Sequence, residues 1–169
     1  AERSTKDFGS DTWISASSGI QEKPVVASHS DGTIYCAYED NNSTVSSHTY
    51  IQIRRSTDNG ASWHDFFRIT NGSTGLKNPD IVVGEGDQDW VYVAYNKESP
   101  SYVEVARISL SGMGSEIRTL ETTALATCTR PRIAVGTTDY YYVYVAYMRS
   151  TMFGTDVHFA RSTDYGLSW

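Results

Sequence analysis

Residues 79–95 read PDIVVGEGDQDWVYVAY. The stretch opens on Pro, runs through a short apolar segment, turns at a Gly/Asp cluster and closes on Ala-Tyr. Two other segments follow the same plan, PVVASHSDGTIYCAY at 24–38 and PRIAVGTTDYYYVYVAY at 131–147. Self-similarity at a fixed period is the signature of a repeat architecture. A second landmark keeps the same beat. RSTDNGASW occupies 55–63 and RSTDYGLSW occupies 161–169, RISLSGMG stands in the middle register from Arg107, and RSTKDFGSDTW at 3–13 is the same motif with two single-residue insertions. The leading arginines, Arg3, Arg55, Arg107 and Arg161, are spaced by 52, 52 and 54 residues.

Turn signals divide each repeat into four short strands. The second repeat predicts strands near 79–84, 90–96, 102–108 and 115–120. The first predicts 24–29, 33–39, 49–56 and 63–69. The third predicts 131–136, 141–148 and 156–162, without a fourth. Residues 12–16 look like a fourth strand without its own first three, so residues 1–16 complement the split unit. The repeats run over about 14–63, 64–115 and 116–169. IYCAY, VYVAY and VYVAY are almost continuously apolar, whereas a strand solvated on one face alternates. These strands expect cover on both faces. Four-stranded antiparallel sheets stacked around an axis supply it, which points to an all-β propeller with three blades in this chain. Small Ala37, Ala94 and Ala146 suit close approach of the sheets. A parallel β-helix is the alternative, but its repeats are usually shorter.

Composition agrees. The chain of 169 residues has 12 Tyr, 5 Phe and 4 Trp but 3 Met, and strand formers dominate. Its 14 Lys and Arg face 20 Asp and Glu, for a net charge of −6 and a pI near 5.1. Nucleic acid and anionic membrane are poor partners for such a chain. Mean hydropathy is −0.42, and no run approaches the length of a membrane helix. The first ten residues lack the apolar core of a signal peptide. Two cysteines make no disulfide scaffold. Cys36 takes the place of Val93 and Val145 as a small hydrophobe, and Cys128 precedes the third repeat's first strand. A bond between them would need blades one and three to adjoin. Asn41, Asn42 and Asn71 lie in glycosylation sequons, relevant in a secreted chain.

The pattern Ser-x-Asp-x-Gly-x-x-Trp is met by Ser56, Asp58, Gly60 and Trp63, and again by Ser162, Asp164, Gly166 and Trp169. It suits a hairpin turn: Asp accepts from backbone N–H groups, Gly supplies positive φ, Ser adds a cap and Trp an anchor. These segments resemble Asp-box repeats, also called bacterial neuraminidase repeats, of the sialidase-like superfamily. The resemblance covers nearly the whole chain. It implies a propeller whose boxes are structural turns between third and fourth strands, on the side away from the active site. It does not choose between sialidases, other glycosidases, receptors and non-catalytic surface proteins.

A sialidase resemblance implies an arginine triad, a Tyr–Glu nucleophile pair and an Asp acid/base. The family's Phe-Arg-Ile-Pro segment belongs on a first strand, whereas FRIT at 67–70 follows a box on a fourth strand, so Arg68 does not inherit its role. First-strand positions after Pro carry Val25, Asp80 and Arg132, of which Arg132 alone is an axial arginine. Arg130 and Arg149 approach the same face. Tyr102 and Glu104, at i and i+2, share one strand face and are the candidate Tyr–Glu pair. For each of these the structural alternative is a solvated arginine or a packing tyrosine. His29, His48, His64 and His158 are scattered, which speaks against zinc. Asp87 and Asp89 are the candidate oxygen ligands for calcium, against a solvated turn. No other cofactor is expected.

Three blades do not close a ring of the usual size. The expectation is either a fragment of a longer, six-bladed chain or a homodimeric six-bladed ring in which residues 12–16 complete the partner's third blade. The leading functional reading is a non-catalytic extracellular or cell-surface module that recognises glycan or protein. Its ligand face would comprise loops 17–23, 39–49, 71–78, 96–101, 121–130 and 148–155. Half of a sialidase-like glycoside hydrolase is one alternative, and an excised or engineered repeat without a native ligand is another.

Overall fold

The computed structural model describes residues 11–15, 18–72, 74–86, 88–120, 126–136 and 141–169. Among these the chain is all-β. Blade one is β1 (Gln21–Ser28), β2 (Ile34–Asp40), β3 (Tyr50–Ser56) and β4 (His64–Ile69). Blade two is β5 (Leu76–Gly84), β6 (Trp90–Glu98), β7 (Ser101–Ser109) and β8 (Ser115–Thr119). Blade three is β9 (Thr127–Val135), β10 (Val143–Thr151) and β11 (Gly154–Ser162). Each blade is an antiparallel meander in chain order. The first strands of successive blades pack together, β1 beside β5 and β5 beside β9. The sheets therefore converge on their first strands, as propeller blades do.

Two cores fill the gaps between blades. Tyr35, Ala37, Ile51 and Ile53 of blade one meet Ile81, Val91, Val93 and Tyr95 of blade two. Tyr92, Ala94, Val103 and Val105 of blade two meet Cys128, Val143, Val145 and Tyr147 of blade three. Alternate residues of β6 thus serve opposite neighbours, which is why VYVAY is apolar throughout. Gly84 permits a close approach at the inner edge. A Cβ there would stand 2.9 Å from the Tyr92 ring and 3.4 Å from Val135. The motif arginines sit over aromatic rings, Arg55 over Phe66 at 5.5 Å, Arg107 over Trp90 at 4.1 Å and Arg161 over Tyr142 at 5.8 Å. Arg3 lies outside the described residues.

The two motif turns are superposable in their bonding. Ser56 Oγ accepts from Gly60 N at 2.8 Å and donates to Asp58 Oδ1 at 2.8 Å. Asp58 also accepts from Ser62 N at 2.8 Å and Ser62 Oγ at 2.6 Å. The second turn repeats this with Ser162, Asp164, Gly166 and Ser168. Gly60 and Gly166 have φ of 87° and 81°. Hydrogen bonds from the Ser62 side chain and backbone, then from Ser56, pull the Asp58 carboxyl down to about 2. At Asp164 burial pushes the other way, but bonds from Ser168 and Ser162 outweigh it and the carboxyl also lies below its usual value. The Tyr165 carbonyl receives the Tyr92 hydroxyl at 3.2 Å and Arg107 Nη1 at 3.3 Å, so this turn docks blade three on blade two.

One expectation changes. The first strands begin three or four residues before the repeat-opening Pro, which lies inside each strand rather than at its start. Thr12–Ser15 form no strand within the chain, and residue 16 lies outside the described residues. They run along the free side of blade one, where Arg54 Nη1 donates to the Ile14 carbonyl and Trp13 remains exposed. A depression of about 390 Å³ lies between this segment, Cys36 and Tyr38. Cys36 and Cys128 are both buried free thiols, and burial pushes the Cys36 thiol up to about 11.

Candidate functional site

Each first strand carries the same irregularity. Two residues of β1 fall between the pairs Glu22–Glu39 and Val25–Ala37, so Lys23 and Pro24 together oppose Tyr38. Asn78 and Pro79 oppose Tyr95 in blade two, and Arg130 and Pro131 oppose Tyr147 in blade three. These are β-bulges, two residues against one. Pro is tolerated at such a site because it has no N–H to give to the ladder. The residue before each Pro has positive φ, 50° at Lys23, 53° at Asn78 and 53° at Arg130. For side chains other than Gly, such a backbone costs about 1–3 kcal/mol each. The strain recurs in all three blades at one register.

The bulges bring their residues to a common mouth. Lys23, Asn78, Arg130 and Arg132 line a cavity of about 310 Å³, with Pro24, Val25 and Pro79 completing its wall. No acidic residue lines it, in a chain whose net charge is −6. An adjoining basin of about 410 Å³ shares Lys23 and Asn78 and adds Asn96, Glu98, Ser101, Thr127 and Thr129. The mouth lies at the end of the blades opposite the motif turns, since the bulges open the first strands and the turns follow the third.

Glu39 holds the bulges from beneath. Its side chain is 2% exposed. One carboxylate oxygen accepts from Asn78 N at 2.7 Å and pairs with Lys23 Nζ at 3.0 Å, and the other faces Lys77 Nζ at 3.2 Å. Lys23 Nζ also donates to Asn78 Oδ1 at 2.9 Å, and Asn78 Nδ2 donates to Asn96 Oδ1 at 2.6 Å. Two ammonium groups offset the buried charge, and a backbone N–H bonds one oxygen, while the other oxygen has only its ion pair with Lys77 and no hydrogen bond. Asp80 makes the corresponding join to blade three, its Oδ2 accepting from Ile133 N at 2.9 Å. Arg130 and Arg132 form no ion pair with any described residue. Arg132 Nη1 donates to the Pro131 carbonyl at 3.0 Å.

Of the residues singled out from sequence, Arg130 and Arg132 meet at this mouth and Arg149 does not line it. Tyr102 and Glu104 do share a face of β7, opposite Lys97 and Tyr95. They lie in a third strand, away from the axis. Glu104 is 9% exposed and stands beside Tyr95, whose phenol is pushed far up by burial and then by the Glu104 charge. Asp87 lies outside the described residues. Asp89 is engaged by protein, with Oδ2 3.3 Å from His29 Nε2 and Oδ1 accepting from Gly86 N at 2.9 Å. His29 Nδ1 pairs with Asp31 at 2.8 Å. Burial works against charge on His29, but its contacts with Asp31 and Asp89 outweigh it and raise its pKa.

Lys23, Asn78 and Glu39 were not evident as site residues from sequence. The available signal is that Lys, Asn and Arg directly precede the three repeat-opening prolines, so one aligned column holds three polar donors. Glu39 follows an apolar strand without any such mark.

Neither a family model nor a curated protein matches the chain. Solved structures do share its fold. An alpha-L-arabinanase of Penicillium chrysogenum complexed with arabinobiose aligns with a TM-score of 0.61 at 17% identity, over 82% of this chain and 43% of that one. A GH93 alpha-L-arabinofuranosidase of Fusarium graminearum with arabinobiose gives 0.58 at 14% identity, over 79% and 42%. A mutant alpha-L-arabinofuranosidase from Fusarium graminearum, in complex with an iminosugar inhibitor, gives 0.61 at 14%, over 86% and 46%. At these identities the likeness is one of fold. The chain spans under half the length of each of these structures. No helix among the described residues is long and apolar enough to cross a membrane.

Proposed function

We propose that the chain is the carbohydrate-recognising part of a propeller, with the ligand held at the mouth where the first strands converge. The observation that carries this reading is the cavity to which three blades each bring a hydrogen-bond donor on a strained bulge, Lys23, Asn78 and Arg130, with Arg132 beside them. Donors on rigid strands suit the hydroxyl-rich edge of a sugar. That structures of similar fold hold arabinobiose and an iminosugar in other proteins supports the same direction. We read Ser56–Trp63 and Ser162–Trp169 as Asp-box turns, structural in role, and place the protein outside the cell. Further blades, from a second copy or from the remainder of a longer chain, would close the ring.

Saturation-transfer NMR of the chain against neutral and acidic oligosaccharides tests this. At least one binder is expected, with its signal lost in the Asn78→Ala/Arg130→Asn double variant. A panel without binders, or binding that the double variant leaves unchanged, would refute it.

The second reading is half of a glycoside hydrolase, favoured by the hydrolase neighbours. Such hydrolysis ordinarily uses two carboxylates flanking the bond. The axial cavity is lined by none, and the carboxylate beneath it, Glu39, is held by two lysines. In this reading the acid and base come from other blades of the ring.

A further inference from the structure

We propose that the outer face of blade three docks on the outer side of blade one in a second copy of this chain, head to tail, so that two copies close one six-bladed ring. The proposal rests on the blades alone and does not need the carbohydrate reading.

The face of blade three is half of a core without its cover. In blades one and two the face turned to the next blade uses matching positions, Tyr35, Ala37, Ile51 and Ile53, then Tyr92, Ala94, Val103 and Val105. Register gives the equivalents in blade three, because Ala37 pairs with Ile53, Ala94 with Val105 and Ala146 with Phe159. They are Tyr144, Ala146, Val157 and Phe159. The first two sets are buried, whereas Val157 is 79% exposed and Phe159 67%. Phe159 stacks on Tyr144 with ring centroids 6.0 Å apart, and Tyr144 stacks on Tyr142 at 6.1 Å. A contiguous exposed apolar patch of this kind marks an interaction surface.

The receiving side lies on blade one. Val26 pairs with Cys36 as Ile81 does with Val93 and Ile133 with Val145. Ile81 and Ile133 belong to the cores between blades. Val26, at the same register, is 65% exposed. Beside it lies the depression of about 390 Å³, whose apolar wall includes Trp13, Ile14, Pro24 and Tyr38. Val157 and Phe159 of the second copy are assigned to this side.

The repeat also supplies the polar contact. Tyr92 and Arg107 of blade two both donate to the Tyr165 carbonyl in the turn of blade three. Tyr144 and Arg161 pair across their strands as Tyr92 and Arg107 do, and Arg161 is exposed. Asn59 takes the place of Tyr165 in the first motif turn, with φ of 57° against 58°. The Asn59 carbonyl of the second copy is therefore the acceptor assigned to Arg161.

A head-to-tail contact between identical chains closes a ring when its rotation allows. Propellers have about four to eight blades, so two copies of three blades fit that range and three copies exceed it. Each bulge residue would then occur twice around the mouth.

The test is light scattering of the chain on a sizing column at micromolar concentration. The expected mass is twice 18.8 kDa. Val26→Glu and Phe159→Glu, each at an exposed position, are each expected to return the mass of one chain while keeping the β-sheet circular dichroism. Arg161→Met is expected to raise the dissociation constant about tenfold or more, the range for one charge-assisted hydrogen bond. An unchanged constant there would overturn the Asn59 contact. A parent chain that stays at 18.8 kDa would overturn the ring of two copies and leave both faces to blades of another chain. A dimer broken by Phe159→Glu but not by Val26→Glu would be joined face to face and would overturn the head-to-tail arrangement. An open series of larger masses would overturn closure.

Discussion

Replacing Glu39 probes whether blade one braces the bulge of blade two. Its carboxylate is buried and accepts from Asn78 N at 2.7 Å, at a residue with φ of 53°. A hydrogen bond to a charged group contributes about 1.5–3 kcal/mol. The flanking ammonium groups are less sheltered, with side chains 49% exposed at Lys23 and 25% at Lys77. Screening holds each pair to about 0–1 kcal/mol. Glu39→Ala removes all three contacts and leaves the Asn78 N–H without its acceptor, at a cost of roughly 2–4 kcal/mol. Glu39→Gln keeps a neutral acceptor and loses only the charge, at roughly 1 kcal/mol. In a chain of this size each kcal/mol moves the melting temperature by about 2–4 °C. Thermal unfolding should therefore place Glu39→Ala about 4–16 °C below the parent, with Glu39→Gln between them. A Lys77→Met change should cost less in the Glu39→Gln background than in the parent, because the partner charge is already gone. An Ala variant that melts with the parent, or a Gln variant that melts as low as Ala, would show that Glu39 is not a brace.

Four further outcomes follow from the geometry. Ser56→Ala or Ser162→Ala strips the acceptor from a motif-turn N–H, part-buried at Gly60 and buried at Gly166, and should cost about 1–3 kcal/mol in urea unfolding, more at Ser162; a neutral result would remove the serine from the turn's support. The Asp58 carboxyl is depressed to about 2, so its stabilisation is present above the ordinary carboxylate pKa near 3.9 and is lost as pH falls toward 2; Asp58→Asn should flatten that part of the stability profile. His29 has a raised pKa, so its contribution is full below about 6.5 and disappears as pH rises through the folded value; Asp89→Asn should weaken that dependence. Gly84→Val presses a branched side chain on the Tyr92 ring and should destabilise by about 1–3 kcal/mol, and a stable variant would mean that the blades yield at their inner edge.

The blades were legible because their physics is local and repeated. IYCAY, VYVAY and VYVAY have no polar face, which demands two neighbours, and the arginines supply the period. Gly and Asp turns then place most strand ends within a few residues. The bulges were hidden because positive φ leaves no trace in the composition of Lys or Arg. A Pro beside an apolar run reads equally well as a strand's first residue and as an interior bulge. Glu39 escaped notice for a related reason. A lone carboxylate at a strand end reads as exposed until the fold brings Lys77 and the Asn78 N–H to it from another blade. Tyr102 and Glu104 share a face of the third strand where the repeat frame puts them, and that strand stands off the axis.

The pairing of a bulge with proline separates two jobs that a strand residue usually performs together. Pairing is kept by the residues on either side, while the residue before Pro is released from the ladder. A position of that kind can be rewritten one blade at a time. On one repeated frame, the three blades place Lys, Asn and Arg there.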